Sequence, residues 1–493
     1  MASRYFTPRV WTRECNQLIS LAGDALLDAR PKQVALSGPA GFLGSRVLAA
    51  LLDAHHHRRE NGLEPGEVVL LSSSPGNLMS RLINIHGYER MNSVRATRVD
   101  YYFQHDVDSW RDQLGSLGMG GPDAVFVNLA ALAGPRSDRP DAMMAVNYRA
   151  PVAAARACEE LRFGHWIQSS TQAVKAERAG QVPYSRWKAM ADYSLARLEK
   201  LPVSVFTLGL LYCKAQGVVG QRGDTLNMVD LTLLPITPIM GNGRAPLQPL
   251  EVGDAAARVA FCALTEPTER PVQPHHENPN CANWSRPKID PARQYTWRAY
   301  DAVGPETMTM LKLMETFAAL NGRKLNPVFV DYRNFETVLN VASLGNLNRQ
   351  FVSLLRSEQD AERPIVGNPD VFETLMGKDA KLFRMDDALK QTDGDGNVIA
   401  IKRRSFPFLA MTSWTWNNLG VIIPGTNLVL ETIGTYLFGR RFAIDESWRW
   451  IRFGAMSTLL GGITAASMHA GAEFSKWWGE VTGGAGWPPW GGF

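Results

Sequence analysis

The chain has 493 residues, of which 45% are apolar, so it can bury sizeable cores in two to three domains. A formal net charge of +4, without a basic patch interleaved with aromatic residues, argues against a nucleic-acid partner. The five cysteines lie far apart without a Cys-x-x-Cys pair, which argues against a disulfide framework and a zinc site and favours a reducing compartment. We therefore predict neither nucleic-acid binding nor a metal site.

Residues 1–30 form an N-terminal extension in which three arginines precede the first acidic residue, Glu14. This composition is compatible with an organelle-targeting segment. Residues 18–27 continue with helical spacing, which favours an ordinary helix that covers a neighbouring element. Both interpretations stay open at this point.

A short apolar run at residues 33–37 is followed by Gly38, Gly41 and Gly44 and then by a helical stretch. This order predicts a strand, a phosphate-binding turn and a helix, because glycines allow a sharp turn, close approach to a pyrophosphate and close packing of helix on strand. The turn therefore predicts a nucleotide ligand. The histidines at residues 55–57 fall at the polar end of this helix, where we expect them to be solvated rather than to bind a metal.

From the glycine turn to about residue 264, apolar runs alternate with helical stretches. The pattern predicts an α/β fold, a Rossmann-like doubly wound parallel sheet with helices on both faces, and we assign it residues 31–265. Right-handed crossovers bring the carboxyl ends of such strands to one edge, where open sheets bind their ligands. The predicted strands lie near residues 34–37, 68–72, 94–99, 124–129, 165–169 and 203–208.

Two segments of different character follow the predicted sheet. Residues 266–297 are rich in Pro, Asn, His and Arg and predict an exposed insertion. Residues 298–390 predict a small α/β domain of the substrate-binding type, with a helix that starts at 305–307 and a strand near 327–330.

A polar linker at residues 391–407 leads to a tail at 408–493 that holds eight of the fourteen tryptophans. Residues 453–472 carry no formal charge and are long enough to span a membrane, although many are Ser, Thr or Gly. A tail that lies across a partner protein or a membrane surface is the alternative, and a self-contained subdomain is a third. We expect the tail to attach the protein to a partner, a membrane surface or lipid.

A tyrosine and a lysine four residues apart, Tyr184 and Lys188, follow the predicted fifth strand and share one helix face. The ammonium group would lower the pKa of the phenol so that it can exchange a proton with a carbonyl or hydroxyl group. Ser170 or Thr171 would hydrogen-bond the same oxygen. With a nicotinamide at the strand edge, this set would support hydride transfer.

These motifs together resemble the short-chain dehydrogenase/reductase superfamily in its extended and atypical branches. The resemblance covers about residues 31–264 and, more loosely, the small domain to about 389. It implies a bound nicotinamide dinucleotide and catalytic roles for Thr171, Tyr184, Lys188 and Ser170. The cofactor contacts that it implies are Gly38, Gly41, Phe42, Leu43 and Gly44 in the glycine motif, Asp106 and Val107 after the third strand, Asn128, Ala130 and Ala131 in the fourth-strand motif, and Asn147, Tyr184, Lys188 and Leu208.

The second predicted strand ends in serines at residues 72–74, without an acidic residue that would bind the ribose hydroxyls of NAD. Hydroxyl groups such as that of Ser73, with Arg46 and Arg81 nearby, favour a 2′-phosphate, because a carboxylate would repel it and Arg can bind it through two hydrogen bonds. We therefore predict NADP(H), with NAD(H) as the alternative.

Two departures from the active-enzyme pattern accompany the resemblance. Many extended enzymes have an Arg-Pro pair near the nicotinamide, where this chain reads Leu208-Gly209. The interval between Thr171 and Tyr184 is also short for a sugar-nucleotide epimerase. It looks like that of atypical members in which the fold keeps a structural role.

Residues 234–254 and 368–377 are similar to segments of the dinucleotide-binding accessory subunits of mitochondrial respiratory complex I and their bacterial relatives. That resemblance implies a tightly held structural NADPH, other subunits of a membrane-associated respiratory assembly as partners, and a mitochondrial location on the matrix side of the inner membrane, with a plastid as the alternative. Our leading hypothesis is a non-catalytic accessory subunit. The alternative is an active NADP-dependent short-chain reductase, dehydrogenase or epimerase that uses Thr171, Tyr184 and Lys188.

Overall fold

The computed structural model describes residues 8–132, 140–175, 183–212, 232, 237–265, 297–320, 324–331 and 365–385. Seven strands form one sheet in the order β11-β6-β5-β4-β1-β2-β3, and every pairing in it is parallel. The predicted Rossmann-like α/β fold is confirmed, and the six predicted strands are present within two residues. The strands of the sheet are β1 (Gln33–Ser37), β2 (Glu67–Ser72), β3 (Val94–Arg98), β4 (Ala124–Asn128), β5 (His165–Thr171), β6 (Val203–Leu208) and β11 (Trp297–Ala302).

Helices cover both faces of this sheet, which is why β1, β2 and β4 are largely continuous apolar runs rather than alternating ones. In β1, Val34 and Leu36 belong to the core on one face, and Ala35 belongs to the core on the other. The helices on the first face are α1 (Pro8–Asp28), α2 (Phe42–Glu60), α3 (Pro75–His86) and α9 (Val252–Leu264), and the short α4 (Tyr88–Met91) follows α3. The helices on the second face are α5 (Val107–Ser116), α7 (Ala150–Glu160) and the end of α8 (Pro183–Leu195). The connecting elements are α6 (Pro140–Met144) and a π-helical turn (Ala145–Arg149) before α7, and a 3-10 turn (Gln172–Lys175) after β5.

The expectation that residues 55–57 are solvated is wrong for His55, which is fully buried in α2. Helix α1 packs across α2, and Arg58 donates to the carbonyl oxygens of Leu26 and Ala29 near the end of α1. Burial, followed by the charges of Arg59 and Arg58, lowers the pKa of His55 to about 4, so its ring is neutral at pH 7. The sequence predicted a covering helix at residues 18–27, but it did not indicate that α2 is the element that this helix covers. Whether that extension also has a targeting role stays a prediction.

The seventh strand lies in a stretch that we assigned to the small second domain. Residues 297–302 pair with residues 203–208 along their full length and extend the main sheet at its edge. The buried residues Tyr300 and Ala302 belong to the core on the first face. The helix that we expected to start at residues 305–307 begins instead at Met310 and ends at Leu320 (α10).

Residues 365–385, far along the chain, belong to the same compact unit as the seven-stranded sheet. The guanidinium of Arg258 in α9 is fully buried and donates to the carbonyl oxygens of Phe372, Glu373 and Ala380. Residues 365–385 are thereby held against the first face of the sheet. The short elements of this unit are β7 (Leu211–Tyr212) paired with β10 (Leu250–Glu251), β9 (Pro246–Leu247) paired with β12 (Met308–Thr309), α11 (Asp370–Glu373) and a 3-10 turn (Thr374–Met376).

A second unit comprises residues 229–242, 314–349 and 403–493. Its described strands, β8 (Thr237–Met240) and β13 (Pro327–Val330), form a parallel pair. Within the described ranges, no helix has the length and apolar character that crossing a membrane requires. Of the insertion predicted at 266–297, residue 297 begins the seventh strand and the rest lies outside the described residues, as do the linker at 391–407 and the tail at 408–493, including residues 453–472.

Candidate functional site

The glycine turn lies at the carboxyl end of β1, where the strand order reverses between β1 and β4. Gly38 has a φ of +68°, and a Cβ there would stand 2.9 Å from the backbone nitrogen of Ala130 in the loop after β4. A Cβ on Gly44 would stand 2.0 Å from the carbonyl oxygen of Gly38. The two glycines are therefore required by the backbone itself, and the turn lies at the switch point where open α/β sheets bind ligands.

The turn presents the amino terminus of α2. Gly41 is the N-cap residue and, as a glycine, has no side chain that could cap the helix, and no acidic residue occupies the first turn of the helix. The first backbone N–H groups of such a helix attract an anion such as a phosphate. The exposed Gly41, the half-buried Phe42 and the buried Leu43 line this start of the helix. The crowded glycine cradle and the uncapped helix fit the pyrophosphate of a dinucleotide.

A buried hydrogen-bond network runs from the glycine turn across three strands. The Ser37 hydroxyl accepts from the backbone nitrogens of Leu129 and Ala130, each at 3.1 Å, and donates to Oδ1 of Asn128 at 2.6 Å. Nδ2 of Asn128 donates to Oε1 of Gln168 at 2.9 Å. Asn128 is thus hydrogen-bonded to both neighbouring strands inside the sheet, and Ser37 fixes the loop after β4 against the turn after β1. We name Ser37, Asn128 and Gln168 the cross-strand network.

The cross-strand network ends at the lysine of the predicted catalytic pair. Nε2 of Gln168 donates to the carbonyl oxygen of Ser169 at 3.1 Å, and the same oxygen accepts from Nζ of Lys188 at 2.9 Å. Lys188 is only 1% exposed. Burial lowers the pKa of its ammonium group to about 8, although the carboxylate of Asp192 acts in the opposite direction. The half-buried Tyr184 lies one helical turn before Lys188 on α8.

The two candidate hydroxyl groups at the end of β5 differ in their hydrogen bonds. The buried Ser170 donates its proton to Oδ2 of Asp192. The half-buried Thr171 accepts from the backbone nitrogen of Ala173 at 3.3 Å, which leaves its own proton available for a ligand. Of the two residues that the sequence offered, Thr171 is therefore the better donor to a substrate oxygen.

Asn147 lies in the single π-helical turn before α7. Its buried side chain accepts from the backbone nitrogen of Leu132 at 3.0 Å and donates to the carbonyl oxygen of the same residue at 2.8 Å. Turns of π-helix inside α-helices are frequent at functional sites. Here the turn directs Asn147 to the loop after β4 that also faces Gly38, and this loop contains the exposed Ala131.

The residues predicted to contact the adenosine half are more dispersed. Ser73 is exposed directly after β2. Arg46, in contrast, is 2% exposed; its guanidinium stacks on the Phe42 ring and donates to the Phe42 carbonyl oxygen at 2.9 Å. The side chain of Arg81 lies outside the described residues. Asp106 is the N-cap of α5 and accepts from the backbone nitrogen of Ser109, and Val107 is half-buried beside it. Leu208, another predicted cofactor contact, is half-buried at the end of β6.

Another buried polar cluster lies at the carboxyl ends of β6 and β11. Asp301 accepts from Lys175, from Thr207 at 2.9 Å and from the backbone nitrogen of Asn368 at 2.9 Å, and Gln172 donates to it at 3.2 Å. Burial raises the pKa of the Asp301 carboxyl, but the Lys175 ammonium and the hydrogen bonds outweigh it and hold the pKa below the usual value. We name this set the Asp301 cluster. It ties residues 367–368 to the edge of the main sheet.

Several of these residues were missed in the sequence. Asp192 has a local signal, because it lies four residues after Lys188 and continues the helix face of Tyr184. Gln168 and Ser37 give no comparable signal, since each belongs to a strand that reads as ordinary. Within the described ranges, no three His, Cys, Asp or Glu side chains come together as a metal site would require.

The described residues thus define a Rossmann-like, doubly wound fold with a glycine turn at its switch point and a Tyr-Lys pair beside the end of β5. No protein-family model matches the chain, and no curated protein matches it. Solved structures with which it aligns include UDP-glucuronic acid 4-epimerase from Bacillus cereus in complex with UDP-glucuronic acid and NAD, at 18% identity over 61% of this chain and 86% of that chain, with a TM-score of 0.41. Another is dTDP-glucose 4,6-dehydratase from Bacillus anthracis in complex with NAD, at 17% identity over 61% of this chain and 84% of that chain, with a TM-score of 0.42.

Proposed function

We propose that this chain binds a nicotinamide dinucleotide, NADP(H) in preference to NAD(H), and acts as a short-chain dehydrogenase/reductase that interconverts a small carbonyl compound and its alcohol. The observation that carries the proposal is the buried ammonium of Lys188. It is anchored to the carbonyl oxygen of Ser169 one helical turn from Tyr184, while the glycine turn lies at the same edge of the sheet. Burial of a lysine ammonium group costs free energy, so a buried lysine beside a tyrosine is more typical of a functional site than of a purely structural helix.

The residues present define the roles in such a reaction. A dinucleotide held by the glycine turn would supply the hydride chemistry at the substrate carbon, through its nicotinamide. Tyr184 gives a proton to the carbonyl oxygen in the reducing direction and takes it back in the other. The positive charge of Lys188 favours the phenolate that Tyr184 becomes after it gives up its proton. Thr171 donates a hydrogen bond to the same substrate oxygen.

Purified protein tests this proposal directly. We expect it to bind NADPH and to oxidise it in the presence of a member of a panel of small aldehydes, ketones and nucleotide sugars. Tyr184→Phe should lower that rate by about 10² to 10⁴-fold, because it removes the proton donor but not the ring. Tyr193→Phe is the matched control, since Tyr193 lies on the same helix and pairs with Arg197. A wild-type protein that binds neither NADPH nor NADH would contradict the proposal.

A second candidate function is a structural NADPH in an accessory subunit of a membrane-associated respiratory assembly, with a mitochondrial location. The end of β6 favours it. A Cβ at Gly209 would stand 2.8 Å from the carbonyl oxygen of Gln248, and the Gly209 nitrogen donates to the carbonyl oxygen of Ala302. This crowded backbone leaves no room for the Arg-Pro pair that active extended enzymes often have here. Bound nucleotide would then stabilise the fold by mass action.

The two functions predict different behaviour of the native protein. A structural subunit should co-purify with other respiratory subunits and carry NADPH through gel filtration. Tyr184→Phe should leave that assembly intact, while a bulky residue at Gly41 should abolish it. Native protein that migrates alone and turns over NADPH would contradict the structural function.

A further inference from the structure

Two ionisable side chains of α8 are buried together at the candidate site. Lys188 and Asp192 are 1% and 3% exposed and lie four residues apart, so they share one helix face. A buried charge is stable only when it is paired and hydrogen-bonded. Lys188 donates to Ser169, and Asp192 accepts through Oδ2 from Ser170. Each of the two side chains is therefore held by one of two adjacent residues of β5.

We propose that Asp192 is a positioning residue for Tyr184 chemistry: its carboxylate keeps Lys188 charged and commits the Ser170 hydroxyl, so that Thr171 serves as the hydroxyl donor. This inference rests on the proposed function. It assigns to one carboxylate both the charge state of Lys188 and the choice between two neighbouring hydroxyl groups.

The ordering of the hydroxyl groups follows from hydrogen-bond capacity. A hydroxyl has one proton and can donate one strong hydrogen bond. Since Ser170 gives its proton to Asp192, it can only accept from a ligand. Oδ1 of Asp192 has no hydrogen-bond partner among the described residues, and the charge of the carboxylate acts to raise the pKa of the Lys188 ammonium.

The electrostatic part depends on which other charges reach Lys188. Asp192 is the charged group that acts on it among the described residues, and it opposes the effect of burial. Burial in turn raises the pKa of Asp192, which the hydrogen bond from Ser170 and the charge of Lys188 partly offset. The titratable groups of the elements packed against α8 have other surroundings. Lys175 pairs with Asp301, Glu159 accepts from backbone nitrogens, and the half-buried Tyr148 stacks on Trp187. Burial raises the pKa of Cys158 and lowers that of His165, and the remaining charged groups are exposed: Asp141, Arg149, Arg156 and Glu160.

The experiment is a pH titration of Lys188 in the full chain. Protein carrying ¹³C-lysine reports the charge of Lys188 through its Cε signal, which is assigned by its loss in Lys188→Arg. We expect Asp192→Asn to move the titration midpoint of Lys188 down by at least one pH unit. Asp192→Glu, which keeps the charge, should move it much less. Ser185→Ala is the matched control, because Ser185 is also buried on α8 and its hydroxyl has no partner.

Binding of NADPH, followed by its fluorescence, provides the second readout. As Lys188 loses its charge, affinity for the anionic dinucleotide should fall, and in Asp192→Asn this loss should occur at lower pH than in the wild type. If Asp192→Asn does not fold, ¹³C-aspartate in the wild-type protein still decides the question. Asp192 should then titrate well above an ordinary aspartate, in step with Lys188.

The possible outcomes distinguish a failure of the role inferred for Asp192 from a failure of the proposed function. An unmoved Lys188 midpoint in Asp192→Asn, or an Asp192 that titrates near pH 4 independently of Lys188, overturns this inference even if NADPH binds normally. Absence of any nucleotide binding by the wild-type protein contradicts the proposed function instead, whatever the titration shows.

Discussion

The carbonyl oxygen of Gly38 occupies the space that a side chain on Gly44 would need. A Cβ on Gly44 would stand 2.0 Å from that oxygen, far inside any tolerated contact. The neighbour is backbone, and Gly38 is itself held at a φ of +68° against the loop after β4. The contact therefore cannot be relieved by a side-chain rotation, and the start of α2 would have to move away from β1.

We accordingly expect Gly44→Ala to destabilise the protein by about 2–4 kcal/mol through overpacking and backbone displacement. It should also abolish nucleotide binding, since the displaced amides are those that would face the phosphates. Thermal unfolding and NADPH titration measure the two effects. Gly76→Ala is the control, because Gly76 lies in the first turn of α3 with nothing within 4 Å of its added Cβ. Equal effects of the two substitutions would contradict the prediction.

The Asn128–Gln168 hydrogen bond in the cross-strand network predicts energetic coupling. Asn128→Leu or Gln168→Met alone leaves buried polar groups unpaired and should each lower the free energy of unfolding by about 1–3 kcal/mol. The double variant should lose less than the two single losses together, with a coupling of about 1 kcal/mol. Urea unfolding of the four proteins measures it. Strict additivity would mean that the hydrogen bond carries no net stabilisation.

The Asp301 cluster predicts a specific loss of stability in acid. Because the pKa of Asp301 is held below that of an unfolded aspartate, near 3.9, its contribution is fully present above that value and is lost as the pH falls through the lower folded value. Asp301→Asn should therefore lower the melting temperature at pH 7 and have a progressively smaller effect below about pH 4. Asp108→Asn, at a carboxylate that is 76% exposed, should have little effect at either pH. A deficit of Asp301→Asn that stays constant with pH would contradict this assignment.

The cofactor preference predicts the behaviour of a charge added after β2. Ser73→Asp places a carboxylate where the sequence lacks one, so it should weaken NADPH binding by about tenfold or more, or about 1.4 kcal/mol, and change NADH binding less. Competition between the two nucleotides measures the ratio. Ser80→Asp adds the same charge at an exposed position on α3 and should leave the ratio unchanged. A chain that prefers NADH before substitution would contradict the NADP(H) prediction.

The sheet was predictable wherever a strand and its neighbours follow one another closely along the chain. Six strands follow one another along the chain with helices between them, and several are buried apolar runs because helices cover both faces of the sheet. The seventh, Trp297–Ala302, mixes buried and half-buried residues because it lies at the edge of the sheet, and its Asp301 belongs to the Asp301 cluster. Its partner ends at residue 208, so nothing local indicates the pairing.

In the candidate site, too, the sequence predicted contacts between residues close together in the chain and missed contacts between distant strands. Tyr184 and Lys188 are recognisable because helix geometry alone brings them together. Asn128 and Gln168 meet only through the register of β4 and β5, forty positions apart in the chain. The position of Arg46 near the glycine turn could not show that its guanidinium contacts the ring and the carbonyl oxygen of Phe42, and its predicted contact with the cofactor stays a prediction.

The contacts of Arg258 decide how the chain can be divided for expression. Its carbonyl acceptors lie 114 to 122 positions later, yet they complete the hydrogen bonding of a cation with no solvent contact. A recombinant fragment that stopped at residue 265 would retain the guanidinium and lose all three acceptors. The compact unit that contains the sheet is therefore discontinuous along the chain, and a fragment that keeps these hydrogen bonds must carry residues 365–385.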